Sequence, residues 1–185
     1  MQSSSNIETS HPFVAATIQE FRYYKSLADR AIAQISDEQL RQALDANTNS
    51  VLVIVKHLAG NLLSRWTDFL TSDGEKPNRD RDSEFIDDVQ SRGDILARWE
   101  AGWSALFSTL TNLQPVDLEK TIRIRSEPHT VYRAIQRQLA HTAYHVGQIV
   151  QLCRHWAGDH WQVLTIPRGG SKEFLAKKRA EFGPK

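Results

Sequence analysis

Residues 137–150 read RQLAHTAYHVGQIV, and this stretch lies inside the longest amphipathic pattern of the chain. From about Pro128 to Trp156, small and apolar side chains recur every three or four residues, as they do along one face of an α-helix. The residues in register are Val131, Ile135, Leu139, Thr142, Val146, Ile149 and Cys153. Gly158 follows as a suitable end for the helix. The stretch therefore predicts a long helix with one buried face.

Three further helical patterns precede this one. The first begins at about Pro12, a residue suited to the first turn of a helix. The second follows Ser50, whose hydroxyl can cap a helix, and stops in residues 71–74. The third begins at Ser83, carries acidic residues in its first turns, and ends before Pro115. Four long amphipathic helices with little strand predict an all-α protein, and specifically a four-helix bundle.

The connections add to this prediction. Residues 71–82 read TSDGEKPNRDRD, a long charged connection that permits a crossover leaving the second and third helices parallel. Residues 121–125 alternate like a strand, but the segment is too short and isolated to predict a sheet. Residues 158–185 predict an extended segment followed by a short C-terminal helix capped by Ser171. We expect one domain over residues 1–185, with residues 1–11 as a polar tail.

The composition excludes several classes of protein. The chain has 23 Lys and Arg against 22 Asp and Glu, a balance that offers no net attraction to nucleic acid. No apolar run approaches the roughly 20 residues of a membrane span, and residues 1–10 lack the features of a signal peptide. Cys153 is the single cysteine, so a disulfide framework is excluded. These features predict a cytoplasmic protein that binds neither nucleic acid nor membrane.

His141 and His145 stand four residues apart in HTAYHVGQ. On a helix, two imidazoles at this spacing leave the same face and can converge on one divalent metal ion. The spacing alone is weak evidence, because both rings lie at the seam between core and surface, where half-buried packing residues are the favoured alternative. The same seam contains Gln148, which we consider as a residue that contacts the ligands or the substrate.

A third metal ligand is needed, and His57 on the second helix is the natural candidate. His57 shares a face with Asn61 and Asp68, roughly opposite the apolar face of that helix. This face is either solvent-exposed or the wall of a polar cavity; periodicity does not decide between them, and an exposed histidine is slightly favoured on the residues alone. Asn61 and Asp68 are candidates for orienting a ligand or contacting a substrate, with solvated side chains as the alternative.

Several segments together resemble a known superfamily. They are HLAGNLLSRWTDFL at residues 57–70, the following TSDGEKPNRDRDSEF, RQLAHTAYHVGQIV, and LTIPRGGSKEF at residues 164–174. The chain is similar to DinB-like (DinB/YfiT) proteins, and within them to a bacterial subfamily of unknown function. The likeness runs from the first helix to about Phe174, and the HxxxHxGQ pattern preceded by a lone histidine is its most specific part.

The resemblance implies a four-helix bundle in up-down-down-up order, commonly a homodimer. It also implies one divalent metal ion, zinc or nickel, held by His57, His141 and His145 with water completing the coordination. Studied relatives are metal-dependent transferases and isomerases that use low-molecular-weight thiols. The resemblance therefore suggests a thiol S-transferase or a related hydrolase acting on a small molecule. The alternatives are a non-catalytic metal-binding module and a homodimeric interaction module.

The remaining candidates concern the substrate. No carboxylate lies inside HTAYH, where HExxH enzymes place their general base, so a peptidase is disfavoured. Arg168 beside two glycines could bind an anion, although Pro-Arg-Gly-Gly is also typical of a turn. Arg65, Arg79 and Arg81 could face an anionic substrate, although RDRD is typical of a self-neutralising surface loop. Cys153 lies on an apolar stripe and is not expected to be a nucleophile.

Overall fold

A computed structural model describes residues 11–183 of the chain, and about 65% of the residues are helical. The helices are α1 Pro12–Ile32, α2 Asp37–Arg41, α3 Val51–Trp66, α4 Arg92–Asn112, α5 Val131–Ala157 and α6 Ser171–Phe182. The strands are β1 Thr121–Ile124 and β2 Glu127–Thr130. This composition agrees with the all-α class. Apart from His11, the predicted polar tail lies outside the described residues.

The four longest helices, α1, α3, α4 and α5, correspond to the four predicted from the sequence. The most extensive contacts join α3 to α4 and α1 to α5, with smaller contacts between α3 and α5 and between α1 and α4. Trp99 and Trp103 of α4 are fully buried in the shared core. Gly102 lies between them, and a Cβ atom there would stand 2.8 Å from the carbonyl oxygen of Ala59. The glycine therefore permits the close approach of α3 and α4.

Most helix ends agree with their sequence signals. Pro12 is the first residue of α1. The Ser50 hydroxyl accepts a hydrogen bond from the backbone N–H of Val53, which satisfies one free donor at the start of α3. Gly158 follows α5 with a φ of 53°, a conformation that glycine adopts without strain.

The predicted start of the third long helix is wrong. Residues 82–85 form only a short 3-10 turn, and α4 begins at Arg92, after Ser91. The Ser91 hydroxyl accepts from the backbone N–H of Asp94 and caps the helix. The second predicted helix also ends early, since α3 stops at Trp66. The connection between α3 and α4 is therefore longer than predicted at both ends.

The strand-like alternation does form a sheet, contrary to prediction. Residues 121–124 pair antiparallel with residues 127–130, from Thr121 opposite Thr130 to Ile124 opposite Glu127. Residues that sequence analysis gave to the start of the last long helix thus form β2. Thr130 then caps α5, accepting a hydrogen bond from the backbone N–H of Arg133. The alternation in residues 121–125 needed a partner strand that the apolar pattern alone did not indicate.

The C-terminal part follows its prediction with one difference. Residues after Gly158 include a short 3-10 turn and extended chain before α6, but Ser171 is the first residue of α6 and no side chain caps the helix. No residue of α6 is buried. Within residues 11–183, none of the helices combines the length and the apolar character that crossing a membrane requires.

Candidate metal centre

Two helices bring three histidines together. His57 lies near the middle of α3, and His141 and His145 lie one turn apart on α5. One ring nitrogen of each histidine can be chosen so that all three lie within 4.8 Å of one another. The Nε2 atoms of His57 and His141 are 3.4 Å apart. The structure thus places all three predicted ligands at one point between α3 and α5.

The environment of this point is a polar cavity. His57 is only 5% exposed, and His141 and His145 are half-buried. Of the two alternatives for the polar face of α3, solvent exposure is therefore wrong. The face is covered by α5 and by the 3-10 turn at residues 82–85, whose Phe85 ring lies 5.0 Å from the His57 ring.

Glu84 fixes the orientation of the His57 ring. The Glu84 carboxylate lies 2.9 Å from His57 Nδ1, and Arg79 donates to both carboxylate oxygens at 2.7 and 2.8 Å. Burial alone would raise the pKa of Glu84, but the hydrogen bonds from His57 and Arg79 outweigh burial and lower it. An ionised Glu84 only accepts, so Nδ1 of His57 donates, and in the neutral imidazole this tautomer leaves a free lone pair on Nε2.

Gln148 plays the corresponding part for His145. Its side-chain oxygen lies 2.8 Å from His145 Nδ1, so this nitrogen donates and Nε2 is free to bind a ligand. The arrangement resembles that of His57 and Glu84, with an uncharged acceptor in place of a carboxylate. Gln148, a sequence candidate, therefore contacts the histidine cluster.

The histidines on α5 are held neutral. Burial, followed by repulsion from His145 and His57, lowers the pKa of His141 to about 3. Burial also lowers the pKa of His145, and the hydrogen bond with Gln148 opposes this effect only in part. Neutral imidazole is the form that binds metal ions, so neither ring needs to lose a proton near neutral pH.

The geometry fits a divalent metal ion. Two imidazole nitrogens bound to one tetrahedral zinc ion stand about 3.4 Å apart, given Zn–N bonds of roughly 2.0–2.1 Å. The observed separation of the Nε2 atoms of His57 and His141 is 3.4 Å. Among residues 11–183, Nδ1 of His141 is buried without a hydrogen-bond partner, so no such contact orients this third ring. Three imidazole rings that converge on one point, two of them oriented by hydrogen bonds, could therefore hold a divalent metal ion.

A cavity of about 120 Å³ adjoins the histidines. It lies between α3, α5, the α3–α4 connection and the turn of the hairpin. The lining residues are His57, Asn61, Arg65, Arg79, Arg81, Arg125, Arg137, Gln138 and His141. The wall is thus strongly basic and contains no carboxylate among these residues.

The remaining sequence candidates divide into two groups. Asn61 is buried in the cavity wall, and its side-chain oxygen has no hydrogen-bond partner within residues 11–183. Asp68 lies beyond the end of α3, is exposed, and has a φ of 49°. Arg168 is exposed in the segment before α6. Neither Asp68 nor Arg168 lines the cavity, so the structure does not bring them to the histidines.

The sequence analysis did not identify Glu84 as a residue of the site and assigned it a different role. It assigned Glu84 to the first turn of a helix, where its charge would face the helix dipole. The useful signal was the S-x-x-D pattern at Ser91 and Asp94, which marks the true start of α4. With that start, residues 83–90 become a connection that can fold back over α3. Lys56 holds it there by donating to the carbonyl oxygens of Ser83 and Ile86.

Comparison with known proteins identifies the family. The sequence profile of one family, described as Protein of unknown function (DUF1572), matches residues 8–170. This chain belongs to the DUF1572 family. The matched range contains α1 through α5 and the three clustered histidines, His57, His141 and His145, of this DUF1572 protein. No curated protein and no solved structure is significantly similar to it.

Proposed function

We propose that this DUF1572 protein binds one divalent metal ion through His57, His141 and His145 and uses it to act on a small molecule. The convergence of three imidazoles, two of them oriented by Glu84 and Gln148, carries the proposal. Three protein ligands leave a coordination position for water or substrate. The likeness to DinB-like proteins supports the same ligand set.

The reaction class follows from the open position and the resemblance. A divalent metal ion at the histidines supplies Lewis acidity, which makes a thiol or water a better nucleophile at neutral pH. Glu84 and Gln148 hold two ligand rings in the tautomer that leaves Nε2 free. Burial of His57 keeps bulk water away from that side of the site. We therefore propose a transferase that uses a low-molecular-weight thiol, or a related hydrolase.

The proposal also covers the metal and the assembly. Zinc and nickel both accept imidazole and water, and the 3.4 Å nitrogen separation supports tetrahedral zinc. An up-down-down-up four-helix bundle that forms a homodimer is proposed from the DinB-like resemblance. Light scattering at two protein concentrations tests the dimer.

Metal analysis of untagged protein tests the site. Protein produced in medium containing zinc and nickel should carry one metal ion per chain, and His57→Ala, His141→Ala and His145→Ala should each lose it. His155→Ala is the matched control, because His155 is exposed on the same helix as His141. Wild-type protein without stoichiometric metal would overturn the proposal.

An activity assay separates catalysis from metal storage. The metal-loaded and EDTA-treated forms are compared in two reactions. In the first, a small thiol displaces the halide of an electrophilic aryl halide, which releases a halide ion and a proton. The second is the hydrolysis of an activated ester. Turnover that requires metal supports the enzyme. A metal that raises Tm while neither reaction occurs indicates the non-catalytic metal-binding module instead.

A further inference from the structure

Arg65 is a buried cation that has no counter-ion among residues 11–183. It lies in the last turn of α3 and is 5% exposed, and its buried Nε atom has no hydrogen-bond partner in the described part of the chain. Within residues 11–183, no carboxylate forms an ion pair with it. Buried arginines are almost always paired, because removing a charge from water without compensation is costly. An unpaired one beside a cavity requires an explanation.

Neighbouring arginines increase the free-energy cost of burying the charge of Arg65. Burial lowers the pKa of Arg65 to about 10, and repulsion from Arg137 and Arg79 acts in the same direction. Glu75 opposes these effects weakly. The chain thus gathers like charges around a buried one, although separating them would make the fold more stable. Such an arrangement is typical of a binding site rather than of a structural core.

The cavity carries more positive charge than the nearby carboxylates can neutralise. Five of its lining residues are arginines, and Glu84 is bound by Arg79 while Glu75 contacts Arg79 and Arg125. In the part of the chain that the structure describes, Arg65, Arg81 and Arg137 form no ion pair. This leaves an excess of positive charge in the cavity wall.

The turn between β1 and β2 contains Arg125 in a strained backbone conformation. Arg125 and Ser126 form its turn with φ values of 54° and 66°, which are unfavourable for residues with a side chain. The carboxylate of Asp73 accepts from both backbone N–H groups at 2.7 Å and holds the turn. The α3–α4 connection therefore fixes the position of Arg125 at the cavity. Local strain of this kind often marks a functional site.

We propose that this cavity binds an oxyanion group, a carboxylate or a phosphate, of the small-molecule substrate, with Arg65 as its central ligand. Guanidinium groups match such oxyanions through two parallel hydrogen bonds. A volume of about 120 Å³ admits the anionic group beside the histidines, whereas a larger molecule must extend outward. The inference deepens the proposed function, because the anion would hold the substrate next to the metal.

The test uses EDTA-treated protein, so that it does not depend on the metal site. Inorganic phosphate and acetate are titrated separately at constant ionic strength, with chloride as the screening control, and binding is followed by calorimetry and Tm. At ten times the dissociation constant, Tm should rise by about 3–5 °C for a chain of this size. Saturable binding of phosphate or of acetate supports the proposal and identifies which oxyanion fits.

Variants assign the binding to the cavity. Arg65→Met should weaken anion binding at least about tenfold and raise Tm without anion, because a buried unpaired charge is removed. Arg137→Met should weaken binding less and provides the same test if Arg65→Met does not fold. Arg168→Met is the matched control, since Arg168 is exposed outside the cavity.

Two results would overturn the inference: no saturable binding of either anion to the wild-type protein, or unchanged binding in both Arg65→Met and Arg137→Met. Metal analysis of the same preparations before EDTA treatment reports on the proposed metal site separately. A protein that binds metal but no oxyanion refutes only the anion site. A protein that binds oxyanion but no metal refutes only the metal site.

Discussion

The two faces of α3 differ in chemistry, although both are buried. One face packs against α4 through Ala59 and Leu62, which are almost fully or fully buried and whose side chains have no polar atoms. The other face carries His57, Asn61 and Arg65, which are buried to a similar extent. Of these, Asn61 and Arg65 each retain a buried polar atom that has no hydrogen-bond partner among the residues the structure describes. Similar burial therefore accompanies opposite chemistry on the same helix.

The apolar face of α3 contributes to folding stability, whereas the polar face carries the residues of the proposed function. Burying apolar surface favours folding by about 25 cal/mol per Å². A buried polar atom without a partner costs about 1–3 kcal/mol. Burial of the apolar face of α3 therefore favours folding, whereas burial of the polar face opposes it. The free energy gained on the apolar face offsets the cost of the polar face. Substitutions on the apolar face should change the free energy of unfolding, whereas substitutions around the polar face should change ligand binding.

Two adjacent leucines test the apolar face most strongly. Leu62 is fully buried, whereas Leu63 is 48% exposed. Leu62→Ala should lower the free energy of unfolding by about 2–5 kcal/mol through lost burial and a cavity. Leu63→Ala should cost well under about 1 kcal/mol. Urea denaturation of the EDTA-treated proteins measures both, and equal losses would contradict the assigned burial.

Gly102 tests the approach of α3 to α4. Its substitution by alanine places a methyl group 2.8 Å from the carbonyl oxygen of Ala59, which is backbone and cannot move easily. We expect Gly102→Ala to destabilise the protein by about 1–3 kcal/mol. Metal affinity of the folded protein, measured by competition with a chromogenic chelator, should stay within a factor of about two. Lost metal affinity in a folded Gly102→Ala protein would break the separation of the two faces.

Glu84 tests the polar face. Glu84→Gln removes the charged acceptor for His57 and should weaken metal binding by about 10–100-fold. Asp82→Asn is the matched control, because Asp82 lies in the same turn and is exposed. Chelator competition reports both affinities. Unchanged affinity in Glu84→Gln would show that the charge of Glu84 does not contribute to metal binding.

Gly60 offers a second route to the same carboxylate. A Cβ atom at Gly60 would stand 2.3 Å from a Glu84 side-chain oxygen, so alanine must displace that carboxylate. Because Glu84 is a flexible side chain, we expect Gly60→Ala to reduce metal affinity with a smaller loss of folding stability than Gly102→Ala. The opposite order of effects would contradict this role of Glu84.

Cys153 gives the smallest effect and tests the core on α5. Burial raises the pKa of the Cys153 thiol to about 12 from the ordinary value of 9.0. A raised folded-state pKa contributes stability below pH 9 that is lost as the pH rises towards 12. The stability difference between wild type and Cys153→Ala should therefore shrink above pH 9. Native protein at pH 8 should resist thiol reagents until urea unfolds it, and rapid labelling would refute the burial.

The fold was largely predictable where the apolar period was long. The pattern on residues 131–157 and the caps at Ser50 and Gly158 gave the helices with errors of a few residues at most of their ends. Prediction failed for residues 83–90 and 121–130, where short segments take their structure from distant partners. Asp73 holds the hairpin turn, and Lys56 holds the 3-10 turn. Neither contact leaves a periodic pattern in the sequence.

The site was predictable in part. The spacing of His141 and His145 and the resemblance indicated three ligands, and the structure brings those three together. Asp68 and Arg168 were plausible on chemistry but lie elsewhere, because the early end of α3 and the exposed segment before α6 place them outside the cavity. Glu84 could not be assigned to the site, because the sequence analysis placed residues 83–90 in a helix.

The sequence by itself determined the helical class, the apolar faces and the common face of His141 and His145, because these depend on local periodicity. Only the tertiary structure decided that the polar face of α3 is buried and that Glu84 orients His57. It also decided that five arginines surround one cavity. Burial and electrostatic pairing arise between residues distant in the chain, and their energies depend on distances that no local pattern encodes.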